Sequence, residues 1–200
     1  MGLFPRPNFF AGSLLNFAEN LLYPANLIID ESSPAIIETT ECGHLEISWS
    51  QLRERVRKCA IALRFHGVVA SDRVAGFLGN HANAVVAMLA TASIGAIWTG
   101  VSPDTGVTAV LERLVQIEPK VLFVDNAVRY NGKVHGSCQK VKEILEGLKG
   151  LKACVMFKTI KSFEVNIEGL DLPSRRVWTY EDFVNRSVFA RHHVTHFPDL

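Results

Sequence analysis

The sequence predicts an α/β fold, in which a doubly wound parallel sheet with helices on both faces follows a short helix and a β-hairpin. From Arg73 onward, short apolar runs rich in β-branched residues alternate with segments of helical periodicity. This alternation is typical of parallel strands joined by helical crossovers. The runs are almost continuously apolar, as expected for strands that are covered on both faces.

Four apolar runs are predicted as the strands of this sheet. Each run has five or six residues and is nearly all apolar, which suits a buried strand. The runs cover residues 73–78, 96–100, 120–125 and 153–157.

The segments before and between these strands carry helix signals. Ser48 followed by Gln51 has the spacing of a capping box, and the helix that it starts is expected to close at Gly67. A second apolar stripe runs from residue 107 to 117 and must end before Pro119. Ser137 is expected to be the N-cap of a third helix.

Residues 1–48 are predicted to form an N-terminal extension. Residues 13–22 have the pattern of a short amphipathic helix, which Pro24 stops. Residues 35–39 and 45–48 are predicted to form a hairpin that turns at Cys42 and Gly43. After residue 157 the pattern weakens, and a short helix is predicted over residues 179–184.

Composition excludes several classes of protein. With 48% apolar and 20% charged residues the chain is neither disordered nor repetitive, and its net charge of +1 gives no basic field for nucleic acid. The apolar segment 82–98 is shorter than the roughly 20 residues that a membrane span needs, so a buried helix running into a strand is favoured. Four cysteines without C-x-x-C spacing, and no secretory signal, favour reduced thiols and a cytoplasmic protein.

Common catalytic and metal motifs are absent. Only Gly76 and Gly79 are available for a dinucleotide fingerprint, which makes a nicotinamide-dependent enzyme a poor hypothesis. His192, His193 and His196 have spacing that suits a metal site, but no further ligand is nearby, so a solvated chain end is favoured. His81 and the other scattered histidines are expected at turns, helix ends or the surface. The sequence thus predicts no catalytic residue and no metal ligand.

A candidate binding site follows the third predicted strand. It consists of Arg129, Tyr130, Asn131, Gly132 and Lys133, at the edge of the sheet where ligands bind in open α/β folds. Two cations flanking an Asn-Gly turn can pair with phosphate, although an ordinary exposed loop explains the same residues.

A second candidate leaves the preceding strand at the same edge, in residues 99–104. Gly100 in that segment either permits the close approach of a ligand or relieves a tight turn.

Five ordered blocks of the chain resemble a known family. They cover most of the sequence between Pro5 and Phe157, and the resemblance weakens beyond. Together they are similar to acetoacetate:CoA ligases, which belong to the acyl-adenylate-forming (AMP-dependent synthetase/ligase) superfamily. The blocks are residues 15–22, 72–80, 87–98, 102–123 and 130–133.

The resemblance implies a two-step, AMP-forming acid–thiol ligase. Acetoacetate would react with MgATP to give an acyl-adenylate, and the thiol of CoA would then displace AMP. By this resemblance Arg129 and Lys133 would meet the phosphates of CoA, and Gly100 would border the passage for its pantetheine arm. The CoA-binding set implied is therefore the cluster from Arg129 to Lys133 together with Gly100.

The Ser/Thr/Gly-rich loop with which this family holds ATP phosphates does not occur in the 200 residues. The resemblance therefore implies that residues 49–200 are the first part of an AMP-binding domain, with an incomplete doubly wound parallel sheet. Such a chain would be inactive alone and would expose apolar surface through which it could self-associate. The alternative is a non-catalytic remnant that binds CoA or a partner protein.

Overall fold

A computed structural model describes residues 11–41, 43–171 and 176–191. Met1 to Phe10, Cys42 and the three C-terminal histidines lie outside the described residues. The helices and strands are, in order, α1 (Phe17–Leu22), β1 (Pro34–Thr40), β2 (Gly43–Ser48), α2 (Trp49–Phe65), β3 (Arg73–Phe77), α3 (Ala82–Ser93), β4 (Ile97–Val101), α4 (Val107–Ile117), β5 (Val121–Asp125), β6 (Ala127–Tyr130), β7 (Lys133–Gly136), α5 (Cys138–Gly147), β8 (Ala153–Phe157), a 3₁₀ turn (Glu168–Leu170), β9 (Arg176–Thr179) and α6 (Tyr180–Arg191).

The central sheet has five parallel strands in the order β4-β3-β5-β8-β9. The four strands predicted from apolar runs are confirmed to within one residue at each end. The fifth strand, β9, was missed because only Val177 and Trp178 among its four residues are apolar. Strand order reverses between β3 and β5, so the carboxyl ends of these two strands form the switch point of the sheet.

Helices cover both faces of the sheet, as predicted. Successive strand residues point to opposite faces, so Val74 and Phe123 pack in one core with α2, α3 and α6. Their neighbours Ala75 and Leu122 pack in the other core, with α4 and α5. These two cores bury the first four residues of β5 and all five residues of β8, which explains their apolar runs.

Helix ends follow the local sequence in most places. The capping box of Ser48 and Gln51 is present in full, and α4 ends at Ile117, just before Pro119. Ser137 is the N-cap residue of α5, as predicted, but its side chain does not cap the helix. The residue has helical backbone angles, and its side chain makes no capping hydrogen bond.

The first helix is shorter than predicted because the capping residue is Asn16 and not Ser13. The Asn16 carboxamide oxygen accepts the N–H of Glu19, and its nitrogen donates to the carbonyl of Ala92 in α3. The predicted hairpin is confirmed as β1 and β2, which pair with each other in antiparallel register. The hairpin contributes the side chain of Ile47 to the core beside α2, where it is fully buried.

The apolar segment 82–98 forms the buried helix α3 and then enters the strand β4, as predicted. Gly95, with φ of +75°, makes the sharp connection between them. Among the described residues no helix is long and apolar enough to cross a membrane.

Candidate functional site

The switch point of the sheet is filled by a buried carboxylate. Asp125 ends β5 and is only 1% exposed. One of its oxygens accepts the N–H of Gly79 at 2.7 Å, and the other accepts the Thr159 hydroxyl at 2.6 Å and lies 2.9 Å from Nε2 of His81. Chain segments that follow β3, β5 and β8 are therefore tied together at one carboxylate.

His81 is at a helix end, as predicted, but its buried partner was not foreseen. Its Nδ1 accepts the N–H of Ala84 and so caps α3. Because Nδ1 accepts, the ring proton is on Nε2, which donates to Asp125. The signal available in the sequence was an aspartate at the end of an otherwise apolar strand, but nothing local connected it to a histidine 44 residues away.

A cavity of about 550 Å³ lies beside this network, toward β4. Its walls are formed by the β3–α3 loop, α3, the end of β4 and the strand β6. The apolar part of the lining includes Leu78, Val85, Met88, Trp98 and Val101, and the polar part includes Asn80, Ser102, Asp104, Arg129 and Tyr130. This mixture suits a ligand with both an apolar and a charged portion.

Two glycines shape the cavity beside Trp98. A Cβ on Gly76 would come within 2.7 Å of the indole, so this glycine lets Trp98 lie against the sheet. Gly100 pairs with Gly76 across the two strands and is exposed at the cavity. Because Gly100 is within β4 and its φ is not positive, a tight turn does not explain it. The close approach of a ligand there stays a prediction.

Arg129 brings a positive charge to the cavity lining. Its Nε atom is buried and has no hydrogen-bond partner among the described residues. Leaving a buried donor unsatisfied typically costs about 1–3 kcal/mol. An anionic ligand in the cavity would relieve this cost.

Residues 129–133 belong to the β6–β7 hairpin, whose turn is the predicted Asn-Gly turn, and not to the ordinary exposed loop that was the alternative. Tyr130 pairs with Lys133, and Arg129 pairs with Val134. Directly paired residues share a face and successive residues alternate, so Arg129 and Lys133 leave opposite faces of the hairpin.

The structure thus brings together Gly100, Arg129 and Tyr130 around one cavity. It leaves Asn131, Gly132 and Lys133 outside the lining, at the tip of the hairpin. A missed residue contacts that tip: the carboxylate of Glu41 accepts the backbone N–H groups of Asn131 and Gly132.

The buried thiols are protonated, and the described residues include no group that could bind a metal ion. Burial raises the pKa of the Cys59 and Cys154 thiols to about 12, so both are protonated at neutral pH. Within ranges 11–41, 43–171 and 176–191 no group of three or more His, Cys, Asp or Glu residues could hold a metal ion. The described site is therefore suited to binding and carries no evident nucleophile.

This arrangement, a cavity at the carboxyl edge of a parallel sheet, is accompanied by a clear family relationship. Residues 31–179 match the family model described as AMP-binding enzyme, and the chain belongs to that family. This match confirms the family that the resemblance between Pro5 and Phe157 implied.

Three similar proteins within this family are CoA synthetases. The chain is 47% identical to malonamoyl-CoA synthetase of Penicillium aethiopicum, over 91% of this chain and 25% of that protein. It is 44% identical to acetoacetyl-CoA synthetase of Mus musculus, over 78% of this chain and 23% of that protein. The structure of acetoacetyl-CoA synthetase from Streptomyces lividans matches 85% of this chain and 25% of its own length, with a TM-score of 0.73 and 36% identity. This chain spans about a quarter of the length of these relatives.

Proposed function

We propose that this chain supplies the CoA-binding wall of an AMP-forming acid–thiol ligase acting on a short carboxylic acid such as acetoacetate. The observation that carries the proposal is the buried Nε of Arg129, which has no hydrogen-bond partner among the described residues and lies beside Tyr130 and Gly100 in one cavity. The family and the relatives support it, because the named relatives are CoA synthetases.

The proposed ligand fits the cavity in two parts. The slender pantetheine arm would run along the exposed backbone of Gly100 and the indole of Trp98, where no side chain obstructs it. A phosphate of the nucleotide end would accept charge-assisted hydrogen bonds from the Arg129 guanidinium, whose planar donors suit phosphate oxygens. Tyr130, at the same rim, offers an aromatic surface for the arm or the base.

The proposed reaction has two displacements. A carboxylate oxygen of the acid attacks the α-phosphorus of ATP and pyrophosphate leaves; the CoA sulfur then attacks the acyl carbon and AMP leaves. ATP and Mg²⁺ would serve the first step, but the described residues contain no cluster that fits a metal, and the sequence lacks the phosphate-holding loop. We therefore assign no part of the first step to this chain and expect it to be inactive by itself.

The acid is proposed as one that carries a second carbonyl group near its carboxylate. Malonamoyl and acetoacetyl groups, named in the two relatives, share a carbonyl at the same position and differ in whether an amide nitrogen or a methyl carbon follows it. Acetoacetate is the preferred proposal.

A second candidate function is a non-catalytic protein that retains the CoA site. The cavity beside Arg129 is the observation behind it, since CoA binding there does not need the phosphate-holding loop. The two candidates differ in one assay: pyrophosphate exchange into ATP with acetoacetate, measured after mixing this chain with candidate downstream segments, occurs only for the ligase.

Calorimetric titration of the chain with CoA tests the shared part of both candidates. Replacing Arg129 by Ala removes charge-assisted hydrogen bonds worth about 1.5–3 kcal/mol, so we expect CoA to bind roughly tenfold to a hundredfold more weakly. Arg113→Ala is the matched control, because that exposed arginine lies outside the cavity lining. Equal CoA affinity in the two variants would contradict the proposal.

Three further proposals concern the whole chain. We propose a cytoplasmic location, and a division into residues 1–48 and 49–200. The division is supported by the β1–β2 hairpin, whose two strands pair only with each other.

We also propose self-association through apolar side chains around α1, where Leu14 and Ile28 are fully exposed. Sedimentation velocity at rising concentration tests this last point, and a monomer at all concentrations would refute it.

A further inference from the structure

The β6–β7 hairpin, which carries Arg129, pairs with no described strand of the central sheet. It forms a two-stranded sheet of its own, so the ladder of parallel strands does not fix its direction. A hairpin of two four-residue strands is at best marginally stable by itself. Contacts with its surroundings must therefore decide where Arg129 lies relative to the cavity.

A buried asparagine anchors the chain at the base of this hairpin. Asn126 lies between β5 and β6 and is only 2% exposed. Its backbone N–H donates to the carbonyl of Phe157, and its carbonyl accepts the N–H of Ser137, which directly follows β7. Both ends of the hairpin therefore meet at one residue, next to the end of β8.

The carboxamide of Asn126 also fixes the loop that follows β8. Its nitrogen donates to the carbonyls of Ile160 and Phe163, at 2.9 and 2.8 Å, and its oxygen accepts the N–H of Ile160 at 3.1 Å. Both N–H donors and the acceptor oxygen of the carboxamide are thus paired. Because a buried polar network whose members are all paired is rigid, the backbone of Phe163 is held in a defined place.

The ring of Phe163 lies directly against the second strand of the hairpin. A Cβ on Gly136 would come within 2.5 Å of Cζ and 3.0 Å of Cε1 of this ring, so the contact requires a residue without a side chain. Phe163 is half-buried, yet its ring belongs to neither of the two cores of the sheet. Its contact with the hairpin is therefore not a by-product of core packing.

We propose that Phe163 is a positioning residue, whose ring on Gly136 sets the direction of the β6–β7 hairpin and so holds Arg129 at the cavity. The inference rests on the proposed function, because Arg129 is the proposed contact with CoA. Phe163 does not line that cavity, so it acts on the ligand only through the hairpin. At the other end of the hairpin the exposed Glu41 holds the turn, where water competes for the same hydrogen bonds.

Amide hydrogen exchange and calorimetric titration with CoA, both on the 200-residue chain, test this role in Phe163→Ala. Without the ring the hairpin should sample other directions, so its amides should exchange about fivefold faster. CoA should bind about fivefold more weakly, as when only about a fifth of the molecules are competent to bind. Val165→Ala is the matched control, because Val165 is half-buried in the same loop but packs in the core with α4 and α5. It should change both quantities by less than about twofold.

The same substitution in the Arg129→Ala background separates positioning from a general loss of structure. If Phe163 acts through Arg129, Phe163→Ala should weaken CoA binding by less than about twofold once Arg129 is removed. Independent effects multiply instead, so a further loss of about fivefold in the double variant would overturn the inference. Unchanged exchange of the β6 and β7 amides in Phe163→Ala would also overturn it.

Loss of the proposed function and loss of the positioning role give different results in these measurements. If CoA does not bind the native chain, the proposed function is refuted, and faster exchange in Phe163→Ala still shows that Phe163 directs the hairpin. If Arg129→Ala weakens CoA binding but Phe163→Ala changes neither affinity nor exchange, the positioning role alone is refuted.

Discussion

Replacing Asp125 by Asn should destabilise the fold more than its small change in shape suggests. Three donors converge on the carboxylate: the N–H of Gly79, Nε2 of His81 and the hydroxyl of Thr159. An asparagine has one acceptor oxygen, so in either orientation its NH₂ group faces at least one of these donors. We expect the loss of one buried hydrogen bond, and of the charge on the others, to lower the free energy of unfolding by about 3 kcal/mol.

Urea unfolding followed by tryptophan fluorescence measures this loss. Asp104→Asn is the matched control, since Asp104 is exposed and accepts only from Ser102, and it should change stability by less than about 0.5 kcal/mol. An unchanged slope of free energy against urea would show that both variants unfold from the same native state. If Asp125→Asn were as stable as the control, the carboxylate would not be holding the switch point together.

Two more predictions concern titration and reactivity. Burial, and then the charge of Arg186, lower the pKa of His66 from its ordinary 6.5, so the unfolded chain binds more protons below pH 6.5 and stability should fall there. The urea midpoint should therefore drop less between pH 7.5 and pH 5.5 in His66→Gln than in the native chain, and equal drops would contradict this. Cys59 and Cys154, whose thiols have pKa values of about 12, should resist alkylation at pH 8 until the chain unfolds in urea, which mass spectrometry of the labelled chain would show.

Local signals in the sequence predicted the elements whose cause is local. The capping box at Ser48 and Gln51 was found because both of its bonds join residues three apart. The end of α4 before Pro119 follows from the proline ring itself. The buried strands β5 and β8 were found because two covered faces require an unbroken apolar run.

Elements that depend on distant partners were missed. The strand β9 is too short and too polar to be recognised without β8, which supplies its hydrogen bonds. The Asn-Gly turn of the β6–β7 hairpin was recognised, but its two strands of four residues alternate only weakly, so no strands were predicted there. Ser137 was correctly placed at the N-cap of α5 from its residue type, but the sequence did not show that its backbone is helical and that its side chain makes no capping hydrogen bond.

Part of the candidate site was predictable for a geometric reason. Gly100 and Arg129 are 29 residues apart, but each lies near the carboxyl end of a parallel strand, and such ends meet at one edge of the sheet. The sequence could not show that Lys133 leaves the opposite face of its hairpin from Arg129, since that depends on the pairing register.

The sequence by itself determined the class of fold, the sheet edge that carries the site and the family to which the chain belongs, because these depend on local periodicity and on runs of residues. Only the tertiary structure decided that Asp125 closes the switch point with His81 and that Glu41 reaches the turn at Asn131. These contacts join residues 44 and 90 positions apart. Packing of the two cores brings the residues of each pair together, and no local sequence pattern links residues so far apart in the chain.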